Sequence, residues 1–359
     1  VSFPQLKRYP HRTQDRLQAW DAADELLVDH FQALRMAASD RLLILNDHFG
    51  ALAANLPELN FDWYSDSYVS TRAAELNSSR DFPKLNQLEQ GSGPYAGALG
   101  RIPKNLSFFE DELAHLSQRL KPGAEVVFTS MLKHLPKTSF ELLEKYIGPT
   151  RTSLARKKAR LIFARFEKAP SSSPYPLRVK LEGFSLPFRH DSNLFSREKL
   201  DIGTRFFLEH VPEGHFQRIL DLGCGNGVLG IRAKQLNPHS HIVFSDDSRM
   251  ATLSAEANFK TYFPSEVCEV HWTHCFEQQK AQSLDLVLCN PPFHQGTTVG
   301  DHIAWQMFTD SRHALRTGGR LRIVGNSHLQ YPGALKKIFG NCTVLAKNSK
   351  FTICEAMKN

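Results

Sequence analysis

Short, nearly continuous apolar runs alternate with amphipathic stretches in both halves of the chain. Buried strands are predicted at Leu42-Leu-Ile-Leu45, Ile219-Leu-Asp-Leu222, Ile242-Val-Phe-Ser245 and Leu284-Asp-Leu-Val-Leu-Cys289. Runs this apolar suit strands covered on both faces. Val228-Leu-Gly-Ile-Arg-Ala-Lys-Gln-Leu236 reads as a helix between two of them. Strand and helix in alternation specify an α/β fold, with a mostly parallel sheet between helical layers. Such sheets bind ligands beyond the C-terminal ends of their strands.

The two halves echo each other, with a Pro/Ser-rich break at Ala169-Pro-Ser-Ser-Ser-Pro-Tyr-Pro176 between them. Asp66–Asn77 and Asp247–Asn258 are identical at six of twelve ungapped positions. Leu120–Phe128 matches Leu315–Ile323, each reading as a helix end, a Gly turn and a strand. Leu42–Leu45 occupies the place of Ile219–Leu222. Gly148 with Leu154-Ala-Arg156 corresponds to Gly340 with Leu345-Ala-Lys347. Four matches in one order indicate duplication. The expected architecture is two tandem Rossmann-like α/β domains: residues 1–168, a linker at 169–176, and residues 177–359.

Composition narrows the class. The 359 residues are 41% hydrophobic and 23% charged, as in soluble globular proteins. No apolar run approaches the roughly 20 residues of a membrane span. Val1 to Arg16 lacks the apolar core of a signal peptide. Six cysteines without a C-x-x-C pair read as reduced thiols of a cytoplasmic protein. Sixteen histidines show no metal-ligand spacing, so no metal is expected. A net charge of +7, spread over both halves, favours a polyanionic partner. Lys7, Arg8, Arg12, Arg156, Lys157, Lys158 and Arg160 are the candidate contacts, set against a merely solvated basic face.

Candidate chemistry concentrates in the second half. Strand Arg218–Leu222 runs into Gly223-Cys224-Gly225-Asn226-Gly227, whose glycines let the backbone turn tightly and approach a ligand. Asp221, near the strand end, is expected to meet a positively charged ligand group. Asp246 ends the next strand, where a carboxylate can accept both hydroxyls of a ribose. Gly225–Gly230 also fits the dinucleotide pattern G-x-G-x-x-G. An acidic residue before the loop would repel a pyrophosphate, however, and the loop after the Leu284–Cys289 strand has no place in hydride transfer. That loop is Asn290-Pro291-Pro292-Phe293. Its prolines cannot close turn hydrogen bonds, which leaves the Asn290 side-chain oxygen and the Pro291 carbonyl as convergent acceptors for an exocyclic –NH₂. Phe293 can stack on the ring. The pattern implies methyl transfer from S-adenosylmethionine to an amino group, which an aromatic amine or a protein amide satisfies equally. In the first half Asn46 and His48 stand where Gly223 and Gly225 do, and Arg101-Ile-Pro-Lys-Asn105 replaces the Asn-Pro-Pro-Phe loop, so that half is expected to have lost the chemistry.

With these residues in view, the chain resembles the bacterial tandem-domain ribosomal RNA guanine-N2 methyltransferases, in their large-subunit (RlmG-type) rather than small-subunit (RsmC-type) branch. The likeness includes Leu17–Glu25, Leu43–Asp47, Asn193–Arg197, Leu200–Gly203, Asp221–Gly227, Cys289–His294 and Lys337–Cys342. It implies two class I methyltransferase domains, the first degenerate, and a cytoplasmic, monomeric enzyme modifying N2 of a guanine in 23S rRNA. By the same resemblance, Asp221, Gly223, Cys224, Gly225, Asn226, Gly227 and Asp246 form the S-adenosyl-L-methionine site. Phe195, Ser196 and Asp201 cover it, and His274 with Cys275 stands beside the adenine, where relatives offer Asn or Asp. Asn290, Pro291, Pro292 and Phe293 hold the base. Modification of 16S rRNA, a DNA adenine or a protein glutamine, and a non-enzymatic assembly role, are the alternatives.

Overall fold

The computed structural model describes residues 3, 6–11, 17–34, 36–37, 39–194, 200–277, 279–292 and 298–359, with backbone alone over 298–301. The chain folds as two compact units, Val1–Tyr175 and Pro176–Asn359.

In the first unit the order is α1 (Ala22–Ala33), β1 (Arg41–Leu45), α2 (Ala51–Asn55), β2 (Asn60–Tyr64), α3 (Tyr68–Asn77), β3 (Lys84–Leu85), β4 (Tyr95–Arg101), α4 (Leu106–Ser117), β5 (Leu120–Met131), α5 (Lys137–Tyr146), β6 (Thr150–Thr152) and β7 (Ala159–Arg165). Its seven strands lie in the order β3-β2-β1-β4-β5-β7-β6. The second unit begins with a small ribbon, β8 (Leu177–Val179) with β9 (Phe188–His190), and α6 (Ile202–Leu208). It continues with β10 (Arg218–Leu222), α7 (Val228–Leu236), β11 (His241–Asp246), α8 (Arg249–Tyr262), β12 (Glu269–Trp272), β13 (Leu284–Cys289), α9 (Thr298–Ala314), β14 (Leu315–Asn326), α10 (Tyr331–Phe339), β15 (Thr343–Lys347) and β16 (Phe351–Met357). Its order, β12-β11-β10-β13-β14-β16-β15, repeats that of the first unit. Five parallel strands are followed by an antiparallel pair in each, so the tandem Rossmann-like architecture stands.

The apolar runs explain the layering. Ile219, Phe244, Leu286 and Leu288 pack on Ile231, Ala255 and Phe259 of α7 and α8. Their strand neighbours Leu220, Val243, Val287 and Cys289 pack on Phe308 and Leu335 of α9 and α10. Alternate residues thus serve opposite layers, each buried large side chain contributing about 1.5–3 kcal/mol.

Three of the four correspondences survive. Ser67 and Ser248 cap α3 and α8 alike, accepting from Ser70 N and Ala251 N. β1 and β10 occupy the same place in their sheets. Gly123 and Gly318 are both left-handed, at φ +76° and +79°. Leu120 and Leu315, however, begin strands rather than ending helices. Leu120 pairs with Tyr95 and Leu315 with Leu284, and the Gly turn is an irregularity within one long strand. The fourth correspondence fails: Leu345 lies at a register shift between Val344 and Ala346, whereas Leu154 falls beyond β6 and is 91% exposed.

Candidate active site

The Gly223–Gly227 loop leaves β10 with three left-handed glycines, at φ +72°, +52° and +81°. Ser245 O accepts from Gly223 N and Cys224 N at 2.8 and 3.0 Å, tying the loop to β11. Only some of these glycines are demanded by packing. A Cβ on Gly227 would stand 3.0 Å from Ala255 Cα, whereas one on Gly225 would meet nothing within 4 Å among the described residues. The open side of Gly225 is room for a ligand.

Asp221 lies near the end of the strand that feeds this loop. Period two places it on the Ile219 face of β10, beneath α7, where it is buried and its Oδ2 accepts Gly230 N–H at 2.8 Å. Burial pushes its carboxyl up to about 8. Through Oδ2 the carboxyl anchors the helix start. Cys224 is buried too, and burial followed by the nearby Asp246 and Asp221 raises its thiol well above the ordinary range. Asp246 reaches the loop from β11: Oδ2 accepts from Gly225 N at 3.0 Å and Oδ1 from Ser248 N at 2.9 Å.

Three residues not singled out in the sequence hold this loop and its neighbour. Asn226 Nδ2 meets His190 Nε2 of β9 at 2.8 Å. Asn258 of α8 donates to Asn226 O at 3.0 Å and to Arg189 O at 2.9 Å, and accepts from Arg189 N at 2.6 Å. Thr204 of α6 accepts from Asn290 Nδ2 at 2.9 Å, and α6 is itself capped by Asp201, which takes Thr204 N at 3.1 Å. Asn258 carried a signal, being one of the identities in the repeat; His190 and Thr204 carried none.

Thr204 fixes the Asn290 amide with its oxygen turned away from the bond. Asn290 Oδ1 is buried without a hydrogen-bond partner among the described residues. Such an acceptor costs about 1–3 kcal/mol until a donor arrives. Pro291 is buried beside it and Pro292 partly so. Beyond Asp246, Thr273 N donates to Asp246 O at 3.1 Å and Ser245 Oγ to Cys275 O at 2.6 Å. This brings His274 and Cys275, both buried, to the end of β12. Because β12, β11, β10 and β13 are adjacent in that order, the site runs as one line: His274 and Cys275, Asp246, the glycine loop, Asn290. Phe195, Ser196, Phe293 and Arg12 lie outside the described residues.

The basic candidates are dispersed. Arg156 pairs with Asp29, and Lys157 with Glu25 at 2.7 Å. Lys158 is exposed and Arg160 half-buried. The Lys7 main chain is held by Asn77, and Arg8 stacks over the Phe49 ring at 5.0 Å. All six cysteines are free thiols. No group of three or more metal-ligating side chains occurs among the described residues, and no described helix is long and apolar enough to cross a membrane.

The chain's likeness to known proteins covers both units. The family model described as the RLMG N-terminal domain matches residues 2–168, and the methyltransferase small domain matches residues 185–355. The ribosomal RNA large subunit methyltransferase G of Pseudomonas entomophila (strain L48) is 44% identical, over 98% of this chain and 97% of that one. Its counterpart from Ectopseudomonas mendocina (strain ymp) is 45% identical over 99% and 97%. Among solved structures, the T. thermophilus 16S rRNA N2 G1207 methyltransferase (RsmC), in complex with AdoMet and guanosine, shares the fold. It has a TM-score of 0.78 at 19% identity, covering 94% of this chain and 92% of that one. Full-length identity of this order, together with both domain models, leaves one conclusion: the chain belongs to the ribosomal RNA large subunit methyltransferase G family.

Proposed function

We propose that the second unit transfers a methyl group from S-adenosyl-L-methionine to N2 of a guanine in 23S rRNA, as a monomer in the cytoplasm, while the first unit binds RNA without catalysing. The observation that carries this reading is the buried Asn290 Oδ1, without a partner among the described residues, at the end of the line of site residues. The open face of Gly225 is where a cofactor backbone fits. Asp246 would accept its ribose hydroxyls, and His274 with Cys275 would flank its adenine. Bound there, the cofactor supplies an electrophilic sulfonium methyl.

Everything else is done by alignment. Asn290 Oδ1 and the Pro291 carbonyl take the two N2 hydrogens and aim the nitrogen lone pair out of the ring plane. Both bonds strengthen as the nitrogen gains positive charge, so they favour the transition state over the bound substrate. Positioning two reactants in line supplies the rest. No His or Glu base is required, because the charged product nitrogen is acidic enough to release its proton to water. A guanine paired in a duplex cannot reach Asn290, so the target is unpaired or flipped out.

The test is methyl transfer from labelled cofactor to separated 23S rRNA, 16S rRNA, DNA and protein fractions, with nucleoside analysis of the product. N2-methylguanosine in 23S rRNA is expected; label in any other fraction alone identifies a different substrate. Asp246→Ala should weaken cofactor binding by about 1.5–3 kcal/mol, the worth of charge-assisted hydrogen bonds, measured by calorimetry.

A further inference from the structure

Three neighbouring strands of the first unit, β4, β5 and β7, each place a lysine at the same edge of the sheet. Lys104 follows the end of β4, Lys133 the end of β5, and Lys158 immediately precedes β7. This is the edge at which parallel α/β sheets bind ligands. All three are exposed and carry no ion pair among the described residues. The strand ends are bound together, since Ile102 N donates to Thr129 O at 3.0 Å and Leu132 N to Lys158 O at 2.8 Å. His134 is exposed beside them; slight burial and then the charges of Lys133, Lys104 and Arg101 hold it below the ordinary histidine range.

The turn that presents Lys158 is strained. Arg156 and Ala159 exchange two backbone hydrogen bonds of 2.9 Å each, closing a two-residue hairpin over Lys157 and Lys158. Both lysines are left-handed, at φ +49° and +62°, in a turn that ordinarily uses Asn-Gly. The fold does not require this. In the second unit, Ser327 N donates to Lys350 O at 2.8 Å, as Leu132 N does to Lys158 O. There Asn348 Oδ1 accepts Lys350 N and Phe351 N, and no residue of the reversal is left-handed. Strain that the duplicate avoids points to a use for these side chains. The ion pairs of Arg156 with Asp29 and Lys157 with Glu25 fasten the turn to α1 and leave Lys158 free.

We propose that Lys104, Lys133 and Lys158 form a phosphate-binding edge on the first unit that holds the RNA backbone without reading its sequence. This rests on the RNA substrate proposed above. The edge at which the second unit would hold its cofactor would then, in the first unit, hold the polyanion instead.

The test uses the full chain and a 23S rRNA fragment, with binding measured from low to moderate salt. Replacing Lys104, Lys133 and Lys158 by Ala should weaken binding at least roughly tenfold and flatten the plot of log affinity against log salt by about two, at about 0.7 per lost contact to a single strand. KM for RNA should rise while turnover at saturating RNA and cofactor affinity stay constant. Replacing Lys121, Lys180 and Lys347 should change none of these. Lys157→Asn with Lys158→Gly should raise the melting temperature and weaken RNA binding together. An unchanged salt slope in the triple variant overturns the proposal, as does an equal loss in the control variant. If the wild type methylates 23S rRNA and the slope is unchanged, this edge alone is wrong. If the wild type methylates no 23S rRNA, the substrate reading is wrong, and the salt slope still decides whether the edge binds a polyanion.

Discussion

The loop after the first strand appears twice in this molecule, once in each unit, and the two copies separate what the fold needs from what a ligand needs. Gly50 and Gly227 are both left-handed and open α2 and α7. A Cβ on Gly50 would stand 2.4 Å from Ala74 Cα, and one on Gly227 3.0 Å from Ala255 Cα, so both glycines are kept for helix packing. A Cβ on Gly225 would meet nothing among the described residues, and its counterpart in the first unit is His48. Gly223 is answered by Asn46, which keeps the left-handed conformation at φ +57°. The Asn46 side chain is spent internally, Nδ2 donating to the buried Glu112 and to Arg101 O. The glycine demanded by packing persists, and the glycine facing open space does not.

The supporting contacts show the same division. Asn77 donates to Phe49 O and exchanges hydrogen bonds with the Lys7 main chain, as Asn258 does with Asn226 O and Arg189. The helix start needs a buried carboxyl in both units. Asp221 supplies it to Gly230 from the strand; Asp47 supplies it to Leu52 N and Ala53 N from the loop. At the end of the fourth strand the copies part. Asn290 is held by Thr204 with its oxygen free among the described residues, whereas Arg101 is locked by Asp24 of α1 and its N-cap Asp21 at 2.7–2.8 Å. A scaffold duty survived duplication even where its residue moved along the chain.

Breaking the lock in the first unit should have the largest effect. Arg101→Ala leaves Asp24 buried and unpaired, and should cost about 3–5 kcal/mol of stability. Cofactor affinity in the second unit should not move; denaturant unfolding and calorimetry measure both, and a shared loss would end the claim of separate duties. Next is Asn290→Ala, expected to lower turnover by about 10²–10³ with cofactor affinity constant. Thr204→Val should lose roughly tenfold by freeing the amide, and Thr204→Ser should recover it; a Val variant at full turnover means that Thr204 does not position Asn290.

The paired glycines come third. Gly50→Ala should destabilise by about 2–4 kcal/mol, combining left-handed strain with overpacking. Gly225→Ala should cost only about 1–2 kcal/mol of stability while abolishing most cofactor affinity. If thermal unfolding and calorimetry rank them the other way, the division between packing and ligand glycines is wrong.

The last effect is one of pH, small at each step because it is spread over several pH units. Burial pushes Asp221 up to about 8 and Asp47 up to about 6, against about 3.9 unfolded. Each then holds a proton in the folded state that the unfolded chain has released. Their stabilisation is complete below pH about 4 and is lost as pH rises through the folded value, by at most about 1.4 kcal/mol per pH unit. Asp221→Asn should flatten that decline up to pH 8, and Asp47→Asn only up to pH 6. Unfolding series across pH that do not change in either variant would refute the assignment.

How much of this was legible depends on distance along the chain. Strands and the glycine loop are local patterns, and they appear where the apolar runs place them. Asn290 with Thr204, and Asn226 with His190, join residues 86 and 36 positions apart, and nothing in a polar side chain announces so distant a partner. The bond from Gly230 to Asp221 was missed for another reason. The position of Asp221 near a strand end drew attention to a ligand, while the alternation that sets it on the Ile219 face also brings Oδ2 to α7. The left-handed Lys157-Lys158 turn is invisible to sequence because neither residue is of the type such turns select.

The strand order also has a consequence for synthesis on the ribosome. β16 lies between β14 and β15, and β7 between β5 and β6, so in each unit a late-made strand seats itself between two earlier ones. All seven strands of the first unit have been made once Arg165 has been translated, and its sheet can close while the second is still being made. The second sheet must wait for Phe351–Met357. Until those residues emerge, β14 exposes an unpaired edge and β15 has no neighbour, so a nascent chain would carry one finished domain ahead of an open template for mispairing. A ribosome stalled before residue 351 would hold a chain whose first sheet can be closed and whose second cannot.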